Sequence, residues 1–248
     1  MVVALRAVIF DLGGTLIDWP DWDEDIQRRW ALSYEYLVAT APSLTWPSCD
    51  AYVQAMREAE KEYWLQVAKN QTSHTPTSFL RDGFRRLHRD VNDQELLVAL
   101  DGYARAVNGW AMIFPDAVET LLALRKRGYK LGLLSNTWWA AEWHNADLAP
   151  HGLDALLDVV VYTSDLPYTK PHASAFLTVT QRLDVPPEAC VMVGDRMVDD
   201  IEGAQKVGMR AIWKETTYPW PRPAHITPDA VIHNLAELPA ILRSWKSS

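Results

Sequence analysis

The stretch GDRMVDDIEG, from Gly194, holds three acids within six positions: Asp195 closes an apolar run, and Asp199 and Asp200 stand where a helix should begin. A calcium loop would need acids at alternating positions around a central glycine, which this spacing lacks. Magnesium takes one or two carboxylates and completes its shell with water and substrate phosphate, so Mg2+ is the cation expected on this loop. The bland alternative is a group of acids favouring a helix N-terminus. A second place is VIFDLGGTLIDW, from Val8, where Asp11 ends an apolar strand and Gly13, Gly14 and Thr15 follow. Glycine removes the Cβ obstacle, so backbone N–H groups of this loop can approach an anion, although a turn or cap would use the same residue types. Ser135 in LLSNT and Lys170 in YTKPH complete the candidates, each also readable as a helix cap or a solvated loop lysine.

The elements around these residues say why they should meet. After a first strand, Ala7 to Phe10, the pattern changes to long amphipathic helices, read as Asp23 to Ala41, Ser48 to Asn70, Thr77 to Arg89 and Asp93 to Asn108. Tyr52, Met56, Ala59, Tyr63 and Val67 form one face of the second, and Asn92 with Glu95 is a capping-box start for the fourth. From Pro115 onward short apolar strands alternate with helices. Asp116 to Arg127 is a helix closed by Gly128, and strands follow at Leu131, Asp158, the run ending at Asp195, Arg210 to Trp213 and Ala230 to Ile232. Pro171 is read as the first turn of a helix, and another helix runs through Val207. Alternation of this kind means a parallel sheet with right-handed crossovers. The fold class is therefore α/β: a three-layer sandwich with a parallel Rossmann-like sheet, residues 1–16 and 113–248, and an all-helical cap domain, residues 17–112. Ligands of open parallel sheets bind beyond the carboxyl ends of the strands, so Asp11, Ser135, Lys170 and Asp195 should converge there.

Composition narrows the partners. A formal net charge of -8 argues against nucleic acid, which is held by clustered Lys and Arg. Cys49 and Cys190 match no zinc spacing and read as buried small hydrophobes. The apolar N-terminus is interrupted by Arg6 and runs straight into Asp11, so it reads as a core strand and not a leader, and no segment has the length of a membrane span. The expectation is a cytoplasmic protein, a monomer or homodimer, acting on a small molecule.

In chain order, FDLGGT, LLSN, TKP and GDRMVDD resemble the haloacid dehalogenase superfamily of aspartate-nucleophile hydrolases, over the core from Val2 to Leu16 and Phe114 to Trp245. The resemblance implies that Asp11 is nucleophile and metal ligand, that Ser135 holds a phosphoryl oxygen, and that Lys170 neutralises charge. It implies that Asp195 and Asp200 position the metal, with Asp199 as a substitute for Asp200, and that the Gly13 carbonyl is a further ligand. Gly14, Thr15, Ser135, Asn136 and Lys170 would contact the phosphate substrate. Gly13 departs from the family, whose phosphatases carry aspartate there; that side chain protonates the leaving oxygen and later activates water. Losing such help costs roughly 10² to 10⁴ in rate. Asp18, Asp21 or Asp23 would have to deliver the proton, or the substrate would need a good leaving group, such as a sugar 1-phosphate or aryl phosphate. Two alternatives are a dehalogenase, whose halide leaves without a proton, and a catalytically weak phosphate-binding protein.

Three features stand outside these motifs. Trp19, Trp22, Trp138, Trp139 and Trp143 suit either a wall of the cleft or plain packing. His144, His151 and His172 show no metal spacing, and His172, beside Lys170, is the one worth testing. YPWPRPAHITP, from Tyr218, reads as an ordered loop with restricted φ angles, because a strand and a helix follow it.

Overall fold

The computed structural model describes residues 3–19, 22–40, 45–107 and 110–245, and for residues 22–25 and 107 the backbone alone. The expected helix ends at Ala41 and Asn108, the acid Asp21 and the side chains of Trp22 and Asp23 lie outside the described part. The strands are β1 (Ala7–Phe10), β2 (Ile17–Asp18), β3 (Met112–Ile113), β4 (Lys130–Ser135), β5 (Val159–Tyr162), β6 (Cys190–Gly194), β7 (Arg210–Lys214) and β8 (Ala230–Ile232). The helices are α1 (Trp22–Thr40), α2 (Cys49–Asn70), α3 (Pro76–Arg86), α4 (Asp93–Val107), α5 (Ala117–Lys126), α6 (Ala141–Leu148), α7 (Ala173–Leu183), α8 (Gly203–Lys206) and α9 (Leu238–Ser244). They divide between two compact units: Met1–Asp18, Met112–Thr137 and Leu148–Ser248 in one, Trp19–Ala111 and Trp138–Asp147 in the other.

The first unit is an α/β layer structure. Six strands pair in the order β5-β4-β1-β6-β7-β8, every pair parallel. β1 is central, with Phe10 in register with Leu133 and Val193, so the residue after it emerges at the carboxyl edge beside the ends of β4 and β6. All four residues of β1 are buried, as a strand covered on both faces requires. Ala7 and Ile9 pack with Phe176, Val179 and Leu183 of α7 and Ala204 of α8. Alternation sends Val8 and Phe10 to the opposite face, where α5 and α9 pack together. β2 and β3, two residues each, form a small antiparallel pair that the sequence reading lacks, being too short to leave a period.

Several expected boundaries move, and two of the shifts lie beside the Lys170 and Asp195 loops. The helix assigned to Pro171 begins at Ala173, where the His172 ring nitrogen accepts from the Ser174 N–H as a cap; Pro171 follows a cis peptide and stands before it. The helix after Asp195 is a wide π-helical turn, Met197–Glu202, continued by α8. Cys190 is buried, but Cys49 is only half-buried as the first residue of α2.

The second unit is all-helical. The face of α2 made by Tyr52, Met56, Ala59, Tyr63 and Val67 is buried, and the reciprocal bonds of the capping box, Asn92 N–H to Glu95 and Glu95 N–H to Asn92, are each 2.9 Å. Trp30 of α1 sits at its centre, fully buried against Tyr52, Phe79, Tyr103 and Trp138. Residues 138–147, placed with the sheet by the sequence reading, belong to this unit. The reason is packing. Trp138 stacks parallel to Trp30 with ring centres 6.2 Å apart and meets Phe79 edge-on at 4.4 Å, contacts that periodicity does not encode.

Among the described residues, no helix is long and apolar enough to cross a membrane.

Candidate active site

β1 delivers Asp11 to the carboxyl edge, where its N–H donates to Val193 O at 2.9 Å and its side chain is 9% exposed. β6 delivers Asp195, and the helical turn that follows brings Asp200 back toward the strand. Gly194 makes that return possible, because a Cβ there would overlap the Asp200 carboxylate. The carboxylates of Asp11, Asp195 and Asp200 each offer an oxygen within 4.8 Å of the others, and all three residues are buried. Lys170 is the counter-charge. Its ammonium donates to Asp11 Oδ1 at 2.6 Å, Asp200 Oδ1 at 2.6 Å and Leu134 O at 2.8 Å, so its three protons are all placed.

Asn136 fixes the lysine from the other side. Its amide donates to Lys170 O at 2.9 Å and accepts from Lys170 N–H at 2.8 Å, locking the loop after β5 to the end of β4. Asn136 was expected to contact substrate, and here its side-chain amide holds the Lys170 backbone. Ser135, the last residue of β4, is buried at the same edge. The Asp11 loop also differs from expectation. Gly14 N–H donates to Ile17 O at 2.8 Å and Thr15 N–H to Leu12 O at 3.2 Å, so both close the turn instead of facing an anion. Gly14 serves another purpose. It sits at φ 75°, and a Cβ there would come within 2.5 Å of Asp195 Oδ2, so glycine lets this carboxylate lie against the backbone.

Lys170 bonds two of the three buried acids, and on Asp195 the charges of Arg196 and Lys170 only partly oppose burial. Burial pushes the Asp195 carboxyl up to about 8, with the charges of Asp11 and Asp200 adding to the rise. Burial likewise raises Asp200 to about 6, although Lys170 opposes it. Burial alone would lower Lys170, but the two carboxylates it touches outweigh that and hold it above its ordinary value. Asp195 Oδ1 is buried with no hydrogen-bond partner among the described residues. An orphaned carboxylate oxygen beside two more carboxylates fits a hard divalent cation, which takes oxygen ligands and replaces the missing positive charge. Asp199 points elsewhere: its carboxylate pairs with the Arg196 guanidinium at 3.3 Å, and Asp200 is the acid of this loop in the cluster.

Several side chains that support this cluster carry no motif signal. The indole N–H of Trp213, in β7, donates to the Asp195 backbone carbonyl at 2.9 Å, and that of Trp220 donates to Asp195 Oδ2 at 3.1 Å. Lys214 Nζ donates to Gly14 O at 2.9 Å and lies 3.7 Å from the centre of the Phe114 ring. A lysine at the carboxyl end of a strand was the available sequence signal, but the strand was read as ending at Trp213. Asp18, the candidate for the missing acid whose side chain is described, is half-buried and 3.4 Å from the Tyr218 hydroxyl.

Among the other singled-out residues, the described tryptophans, His144 and His172 make packing or capping contacts. Trp19, Trp138 and Trp139 are buried in the helical unit, where Trp139 meets Trp19, Trp138, Trp143 and His144 in ring contacts. Burial lowers His144 to about 3, which keeps it neutral. His151 is exposed, and His172 stacks on Tyr168 while capping α7.

A parallel sheet whose central strand brings an aspartate to a buried lysine and two further carboxylates is the framework of an aspartate-centred α/β hydrolase. The sequence profile of haloacid dehalogenase-like hydrolases matches residues 5–208, and this chain belongs to that family. It is 27% identical to a glyceraldehyde 3-phosphate phosphatase of Methanopyrus kandleri, covering 83% of this chain and 82% of the relative. It is 28% identical to phosphatase MT3486 of Mycobacterium tuberculosis, covering 97% and 98%. Among solved structures it is similar to a 2-haloacid dehalogenase from Pseudomonas syringae pv. Tomato DC3000, with a TM-score of 0.70, 29% identity and coverage of 97% and 99%. A phosphatase of the same family from Thermococcus onnurineus gives 0.62 at 29% identity, with coverage of 96% and 98%. Equal identity to a phosphatase and a dehalogenase leaves the choice of chemistry to the residues of the site.

Proposed function

We propose that this protein is a Mg2+-dependent phosphatase that hydrolyses a small organic phosphate monoester through an aspartyl-phosphate on Asp11. The observation that carries the reading is the buried trio Asp11, Asp195 and Asp200, with one oxygen of Asp195 lacking a hydrogen-bond partner among the described residues. Asp11, Asp195 and Asp200 would hold the cation, with the Gly13 carbonyl as a further oxygen. Once bound, the cation offsets the repulsion between an attacking carboxylate and a phosphate dianion.

The chain's own residues divide the remaining work. Lys170, bonded to Asp11, orients that carboxylate and supplies positive charge to the equatorial phosphoryl oxygens. An Asp11 oxygen attacks phosphorus as the bond to the leaving oxygen breaks, and Ser135 holds a phosphoryl oxygen. Water then attacks the same phosphorus, releasing phosphate and restoring the Asp11 carboxylate. Asn136 contributes by holding Lys170 in place. Without an acid at position 13, protonation of the leaving oxygen falls to solvent or to Asp18, which favours substrates whose alcohol leaves easily. The helical unit takes the part of a cap that selects the substrate, and the enzyme works in the cytosol as a monomer or homodimer.

One observation favours a second reading. Gly13 removes the leaving-group acid, which a dehalogenase does not need, and a solved relative is a 2-haloacid dehalogenase. Against this stands the acidic loop of Asp195 and Asp200, for which displacement of a halide has no use. A panel of phosphate monoesters and 2-haloacids, each with and without Mg2+, separates the two. Phosphate release that requires the metal supports the phosphatase. Halide release without metal overturns it.

A further inference from the structure

The segment after β7, Glu215 to Pro228, contains the proline-rich run that the motifs leave unexplained. It is ordered by its own contacts. Tyr218 N–H donates to Thr216 Oγ1 at 3.2 Å, Arg222 donates to Thr216 O at 2.7 Å, Ile226 N–H donates to Pro223 O at 3.1 Å, and the Ile226 side chain is buried in the core. Proline on either side of Trp220 fixes φ there and reduces the entropy lost in holding one conformation. The result is an indole whose edge meets the Asp195 carboxylate. The Arg196 guanidinium lies over its face, 4.1 Å from the ring centre, and Tyr218 packs beside it at 5.9 Å.

Asp195 is thereby gripped at two points by tryptophan: Trp213 holds its backbone carbonyl and Trp220 its Oδ2. Gly14 lies against the same Oδ2. The other oxygen, Oδ1, has no hydrogen-bond partner among the described residues. A carboxylate free to turn about its last bond presents either oxygen. One pinned at Oδ2 presents Oδ1 alone.

We infer that Trp220 is a positioning residue for the cation site: its indole N–H pins Asp195 Oδ2 so that Oδ1 is turned toward the cluster formed with Asp11 and Asp200. The inference rests on the proposal that these carboxylates hold a divalent cation, and it adds an outer support from a loop beyond the four motifs. Outer partners that orient a ligand are typically worth about 10- to 100-fold in metal affinity, and a single neutral donor belongs at the lower end.

The test is a titration of the full-length protein with Mn2+ followed by electron paramagnetic resonance, and with Mg2+ by calorimetry. It compares wild type, Trp220→Phe and Asp195→Asn, with thermal melts of each metal-free protein. Trp220→Phe keeps an aromatic face for Arg196 and deletes only the donor. The expected result is metal affinity about tenfold weaker in Trp220→Phe, an unchanged melting point, and a kcat on p-nitrophenyl phosphate that returns to the wild-type value at saturating Mg2+. Equal affinity in wild type and Trp220→Phe overturns the positioning role and leaves the cation site standing. Absence of metal binding in wild type overturns the cation site and this inference together. A second measurement does not depend on the variant folding: the indole 1H–15N resonance of Trp220 in wild-type protein should move in step with metal binding. A resonance that stays fixed contradicts the role.

Discussion

The two units each bury charge, and they do it in opposite ways. In the helical unit, Glu60 is buried, with Oε2 accepting from the Trp30 indole at 3.2 Å and Oε1 from the Trp138 indole at 2.9 Å. Burial raises its pKa, while these two bonds and the neighbouring Arg29 and Arg57 oppose the rise. Both oxygens are satisfied, each by a rigid ring that is itself part of the core. In the sheet unit Lys170 bonds two of three clustered carboxylates, and Asp195 Oδ1 has no hydrogen-bond partner among the described residues. A buried acid with full coordination holds a structure together; a cluster that lacks a positive charge awaits a ligand. Burial alone therefore does not mark a site. The balance of donors does.

Breaking the nucleophile should give the largest effect. On the proposed mechanism Asp11→Asn removes the attacking oxygen and should lower kcat by roughly 10³-fold or more with the fold retained, as read by steady-state kinetics and circular dichroism. Restoring the absent acid should come next. Gly13 is not among the glycines with positive φ, so an aspartate there needs no unusual backbone. Gly13→Asp should raise kcat/KM on alkyl phosphates by about 10²-fold and on p-nitrophenyl phosphate by much less. Equal gains on both would count against the account of leaving-group protonation.

The contrast between the two buried acids gives a paired prediction. Glu60→Gln sets an amide N–H2 against an indole N–H and should cost about 1 to 3 kcal/mol of stability in urea unfolding, with Mg2+ affinity unchanged. Asp195→Asn should do the reverse, losing metal affinity while the metal-free protein stays as stable as wild type or becomes more so. If both variants lose stability alike, the distinction between a satisfied and an unsatisfied cluster fails.

A further effect is one of pH. Asp195 and Asp200 bind protons more tightly in the folded chain, at about 8 and about 6, than at the ordinary value of 3.8. Their contribution to stability is fully present below that ordinary value and is lost as pH rises through about 6 and then about 8. Melting points of the metal-free protein should therefore fall across this window. Saturating Mg2+ should flatten the fall, and apparent metal affinity should rise with pH as the protons leave.

How far the sequence alone carries this account varies with the kind of contact. β1, β6 and the acids that close them stood out because a strand buried on both faces is a continuous apolar run, and a charge at its end breaks it abruptly. The face of α2 and the Asn92 cap were legible for the same local reason. What was not legible depends on contacts between distant residues. Trp138 joins the helical unit through Trp30 and Glu60, more than seventy positions away. Trp220 reaches Asp195 from a loop whose prolines advertised restraint but not direction. Asn136 was assigned to the substrate through the family resemblance, and its amide pairs with the Lys170 backbone, a partner the local sequence does not show.

A crystal structure of wild-type protein soaked with Mg2+ and beryllium fluoride addresses the central claim most directly. The account predicts a fluoroberyllate bonded to an Asp11 oxygen, a cation in contact with Asp11, Asp195 Oδ1 and Asp200, and Lys170 turned toward the fluorines. A cation-free cluster with Lys170 still bridging Asp11 and Asp200, and no density on Asp11, would contradict it.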